Sequence, residues 1–149
     1  MQTYQIRESL DVYEPRRAVQ ILAERLGFSR SECKELAIVV SELVSNILKY
    51  GIRGTIEFDE VCDSKCGRGV SIAASDVGPP FHDLAMALQD GYDDRGPIDP
   101  LQLLKRRGIG AGLGAMVRLT DTFQVLPLAV GKRVCAVRYL KRRPSRRQA

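Results

Sequence analysis

The stretch from Ala37 to Gly51, AIVVSELVSNILKYG, constrains this chain more than any other. Read at helical spacing, Cys33, Leu36, Ala37, Val40, Leu43, Val44, Ile47 and Leu48 form one broad apolar stripe that demands a covering layer. Glu42 and Asn46 stack on one face at a spacing of four, with Lys49 beside them. That face is expected opposite the stripe, in solvent. A carboxylate and an amide held on a rigid helix can serve as a base and as an oxygen ligand for a divalent metal. A plain solvated face carries the same pattern.

The rest of the chain builds a partner for that stripe. Thr3 to Glu8 alternates as a short strand, and Val12 to Leu26 reads as a helix stopped by Gly27. Ser29-Arg30-Ser31-Glu32 has the form of a capping box that launches the central helix. Gly54 to Val61 and Val70 to Ser75 read as strands of an antiparallel hairpin, with a polar turn between them. Phe123 to Leu128 and Arg133 to Leu140 read as two closing strands. The expectation is one domain over residues 1–140 and a basic, disordered tail over 141–149.

Two further motifs carry chemistry. Asp76-Val77-Gly78-Pro79-Pro80-Phe81 puts an acidic residue where an internal strand meets a Gly/Pro turn. A carboxylate there needs donors, and the amino group of a base is one; an aspartate that merely opens a turn is the other reading. Gly108 to Gly114 is a glycine-rich loop running into a helical pattern at Met116 to Leu119. Close backbone approach and a helix N-terminus suit a phosphate, although a hinge without ligand also fits. Between these motifs, residues 83–107 form a long irregular connection, expected to act as a lid, with a short helix near Leu84 to Leu88 and a basic run at Lys105, Arg106 and Arg107.

The net charge of +5 is matched by five cations in the last nine residues, so it does not describe a nucleic-acid surface. No apolar run reaches membrane-spanning length and no leader pattern opens the chain, which implies a cytoplasmic address and no membrane partner. Cys33, Cys62, Cys66, Cys135 and the single His82 are too scattered for a zinc site; Cys33 and Cys135 read as small core residues.

Glu42-x3-Asn46, Asp76-x-Gly78 and Gly110-x-Gly112-Leu113-Gly114, in that order, resemble the N, G1 and G2 boxes of the GHKL ATPase and kinase superfamily. Within it the chain resembles the short anti-sigma-factor serine kinases, most of all the stressosome switch kinases, over nearly its whole length. Leu26-Gly27-Phe28, Asp90-Gly91-Tyr92, Arg118-Leu119 and Arg138-Tyr139-Leu140 add to the likeness.

The resemblance implies a Bergerat-type α/β two-layer sandwich, with helices on one face of a mixed, largely antiparallel sheet. It implies ATP and Mg2+ as ligands. Glu42 would be the general base, Asn46 the Mg2+ ligand and Asp76 the partner of the adenine amino group. Gly78 would let the backbone pass the base, and Gly110, Gly112, Leu113 and Gly114 would wrap the phosphates. It further implies transfer to a serine of a STAS-domain antagonist or scaffold protein, with a phosphatase or sigma factor downstream. An anti-sigma factor that sequesters a sigma subunit, or a switch that binds nucleotide without turnover, is the alternative. Two positions depart from the family pattern. Pro80 replaces the second glycine of the G1 box, and the late Gly-Thr that supports adenine would fall at Arg133-Val134, without the hydroxyl.

Overall fold

The computed structural model describes residues 1–80, 92–93, 96–97 and 113–141. Five antiparallel strands form one open sheet in the order β1-β2-β3-β7-β6. They are β1 (Gln2–Ile6), β2 (Gly54–Asp63), β3 (Gly67–Asp76), β6 (Thr122–Pro127) and β7 (Lys132–Tyr139). A separate two-residue ladder pairs β4 (Tyr92–Asp93) with β5 (Gly96–Pro97). Three α-helices, α1 (Tyr13–Leu26), α2 (Arg30–Asn46) and α3 (Leu113–Leu119), a 3-10 turn (Ser9–Val12) and a π-helical turn (Ile47–Gly51) complete the described elements. This is the two-layer α/β arrangement expected from the sequence.

Local chemistry fixes the helix limits. Gly27 takes φ +100° and closes α1. At the start of α2 the Glu32 N–H donates to Ser29 Oγ at 3.2 Å, while the Ser29 N–H donates to Glu32 Oε2 at 2.6 Å. The other end of α2 is less regular. After Asn46 the chain loosens into a π-helical turn, Ile47–Gly51. Ile52 then adopts φ 71°, ψ −60°, and the Arg53 N–H donates to Gly51 O at 2.8 Å. That is a γ-turn of the strained kind, centred on a β-branched residue, and it delivers the chain into β2.

Alternation along the strands sorts the sheet's two faces. Ile6, Ile56, Phe58, Val70, Ile72, Ala74 and Val134 point into the core with the helices. The opposite face is polar or small: Arg133 donates to Ser75 Oγ at 2.8 Å and pairs with Glu57 at 3.0 Å, crossing three strands. At the far end, Arg138 of β7 bonds Glu35 of α2 and the Leu119 carbonyl of α3, tying both helices to the sheet.

The stripe of α2 packs as expected, but it is not the helix's only covered side. The sheet, α1, the 3-10 turn Ser9–Val12 and α3 all contact α2. Val39, outside the stripe, has no exposure, and Glu42 keeps 5%. The expectation that Glu42 faces solvent is therefore corrected: a helix packed by a sheet on one side and by further helices on another buries more than one face. Cys33 is buried as expected, whereas Cys135 lies on the sheet's other face and is half-exposed. The tail beyond Lys141, and the expected lid apart from β4 and β5, lie outside the described residues.

Candidate functional site

Glu42 and Asn46 stand one turn apart on the last third of α2. Glu42 lines a cavity of about 400 Å³ with Ser41 and Ser45 from its own helix, Lys49 from the π-helical turn and Tyr13 and Arg16 from α1. Asn46 is half-buried, and its Nδ2 is a buried polar atom with no hydrogen-bond partner among the described residues. Amide oxygen and nitrogen exchange by a simple flip, so the orphaned position suits either an acceptor or a ligating oxygen. It sits where α2 gives way to the π-helical turn, a distortion common at functional sites.

Asp76 ends β3 on the helix-facing side with 6% exposure. Both of its side-chain contacts go to one oxygen. Oδ1 accepts from the Gly78 N–H at 3.0 Å and from Lys132 Nζ at 3.1 Å, while Oδ2 accepts nothing among the described residues. Lys132 retains 2% exposure and also donates to the Pro79 carbonyl at 2.9 Å. The cation thus joins the start of β7, the end of β3 and the turn after it.

Two glycines make that junction possible. Gly131 has φ +91°, and a Cβ there would lie 1.7 Å from the Asp76 carbonyl oxygen. At Gly78 a Cβ would lie 2.1 Å from the Tyr50 carbonyl oxygen, so this glycine is required by the end of the central helix itself.

Lys132 was not among the candidates read from the sequence. The residue in register with Asp76 is Lys132, and Arg133 pairs with Ser75. A lysine at a strand start ordinarily reads as exposed; the sequence signal was the glycine before it, legible only once β7 is paired with β3.

Of the glycine loop, Leu113 and Gly114 open α3 and are buried. Gly110, Gly112 and the basic run Lys105 to Arg107 lie outside the described residues. Among the described residues the donor set fits a magnesium nucleotide in kind: an amide whose nitrogen has no partner, one turn from a buried carboxylate on α2, and on β3 a carboxylate whose hydrogen bonds all go to Oδ1.

Residues 8–138 match the family model of the histidine kinase-like ATPase domain. The chain belongs to that family. It is also similar to the serine/threonine-protein kinase RsbT of Bacillus subtilis (strain 168), with 30% identity over 132 residues, covering 88% of this chain and 90% of that protein. Membership in a histidine kinase-like ATPase family implies ATP as the nucleotide. Among the described residues no helix is long and apolar enough to cross a membrane.

Proposed function

We propose that this chain is a Mg-ATP-dependent protein serine/threonine kinase that acts on a STAS-domain antagonist or scaffold protein in a bacterial stress or sigma-factor pathway. The family and the likeness to a serine/threonine kinase support the class. One observation at the site carries the reading: the buried Nδ2 of Asn46, which has no hydrogen-bond partner among the described residues, one turn from the buried carboxylate of Glu42. A buried polar atom left unpaired costs about 1–3 kcal/mol, a cost that a bound ligand removes.

In this reading Asn46 would hold Mg2+ through its amide oxygen, and the ion would neutralise charge on the outer phosphates. Asp76 Oδ2 accepts from the adenine amino group. Gly110, Gly112, Leu113 and Gly114 would supply backbone donors to the phosphates. Glu42 accepts the proton of the substrate serine hydroxyl. A bond forms between the serine oxygen and the γ-phosphorus, the bond from that phosphorus to the bridging oxygen breaks, and ADP leaves. The phosphorylated STAS protein would then release its downstream phosphatase or sigma-linked effector in the cytoplasm.

Incubation with labelled Mg-ATP and STAS-domain proteins tests this. The expected result is phosphoserine or phosphothreonine on the STAS protein. Glu42→Gln should cut transfer by about 10²–10⁴ while ATP affinity stays within a few fold. ATP binding with no transfer to any STAS protein would sink the kinase reading, and capture of a sigma subunit without transfer would put an anti-sigma role in its place.

A further inference from the structure

We propose that a groove at the strand ends, on the face of the sheet away from the helices, docks an extended segment of a partner protein that carries carboxylates beside apolar side chains.

Strand register builds the floor. Gln5 pairs with Thr55 and Thr55 pairs with Ser75, so three polar residues stand in one row across β1, β2 and β3. They alternate with the buried Ile6, Ile56 and Ala74 and so face away from the core. Just past that row the Val77 N–H donates to the Arg53 carbonyl at 3.4 Å. Arg7, Arg53, Val77, Leu128 and Val130 wall a cavity of about 340 Å³ over this floor.

Two properties of the walls select the occupant. The first is charge. Arg7 and Arg53 are exposed, and among the described residues neither forms an ion pair. The carboxylates around them are engaged elsewhere: Glu57 with Arg133, Asp76 with Lys132 on the helix side, and Asp11 with the N–H groups of Arg7 and Glu8. The second is apolarity. Val77, Leu128 and Val130 are exposed, Val130 at 70%, and Ile52 beside Arg53 in the chain keeps 69%. All four stand outside the strands, where polar residues ordinarily serve. Ile52 does so at φ 71°, a strained setting for a β-branched side chain. Clustered apolar exposure marks a contact surface, and a partner that covers it lowers the cost of leaving these side chains in water. A basic or purely polar segment meets one feature or neither. An acidic segment with leucine-like side chains meets both.

The test is fluorescence anisotropy of the full chain with three labelled peptides: glutamate with leucine, lysine with leucine, and glutamate with serine. The glutamate–leucine peptide should bind at least about tenfold tighter than the others, and more weakly as salt rises. Arg53→Glu should weaken it about tenfold or more and Val130→Ser about fivefold, with melting temperatures held, because both side chains are exposed. Arg146→Glu, an equal change of charge in the basic tail, should leave binding within about twofold. Mg-ATP affinity should not move in any of these variants, so the outcome is separate from that of the kinase reading. Equal binding of the three peptides, or no effect of Arg53→Glu and Val130→Ser, overturns the inference. An equal loss in Arg146→Glu assigns the attraction to the tail and overturns it too. Sedimentation that shows a dimer lost in Arg53→Glu gives the groove to a second copy of the chain instead.

Discussion

Replacing Asp76 by asparagine separates what this carboxylate does for the fold from what it does for a ligand. The side chain keeps its shape, and its amide oxygen can still accept from the Gly78 N–H, so the loss is one of charge. Lys132 then remains at 2% exposure with no counter-ion on Asp76. At the observed 3.1 Å, an effective dielectric of about 20 gives an attraction of roughly 5 kcal/mol. Breaking buried pairs from one side costs about 3–5 kcal/mol, because the surviving charge cannot regain water. For a domain of this size each kcal/mol moves the melting temperature by about 2–4 °C, so Asp76→Asn should melt roughly 10 °C lower. The assay is thermal unfolding followed by circular dichroism without nucleotide, which keeps ligand linkage out of the measurement. Adding Lys132→Met should recover most of the loss, since the pair is then removed whole. A single mutant that melts within about 2 °C of the wild type, or a double mutant worse than the single, would refute the claim that this ion pair is held out of water. In the same variant ATP affinity should fall about ten- to a hundred-fold.

Asn46→Leu should raise the melting temperature of the free chain, because it deletes a buried amide nitrogen that has no partner among the described residues, a cost of about 1–3 kcal/mol, yet it should abolish Mg-nucleotide binding; a variant that melts early and still binds would reverse both assignments. Gly131→Ala should destabilise by about 2–3 kcal/mol or more, read by denaturant unfolding, since the new carbon meets backbone and the residue has φ +91°. The Asp11 carboxyl is held below its ordinary value by the N–H groups of Arg7 and Glu8. A lowered folded value means that its contribution is present above the unfolded value and is lost as pH falls through the folded one. Asp11→Asn should therefore melt lower at neutral pH, and the gap to the wild type should close on acidification below about pH 4.

Much of the architecture was legible because local signals agreed with the global one. Ser29 and Glu32 mark the start of α2, Gly27 marks the end of α1, and alternation from Gly54 onward marks the hairpin. What stayed hidden depends on contacts between distant segments. Periodicity ranks the faces of α2 by apolarity, but it cannot reveal that α3 and the N-terminal turn cover a second side, so the burial of Val39 and Glu42 was missed. The π-helical turn and the γ-turn at Ile52 have no composition signature. Lys132 was missed because its meaning comes from a strand register that joins positions 56 residues apart. The family was legible from the spacing of the three motifs, and the structure adds where the partners of Asp76 come from.

The pairing of β3 with β7 also bears on the order in which the chain assembles. β2 and β3 meet across a short turn, with Asp63 opposite Gly67, so their ladder closes early and cheaply. β7 must find β3 from the far side of a long intervening segment, with Asp76 opposite Lys132 at the open end of that loop. Closure entropy is repaid only when both strands are in register, which makes this the slow, late step. The half of the fold that carries α1, α2 and the hairpin can thus settle first, and the acidic end of β3 receives its buried cation last.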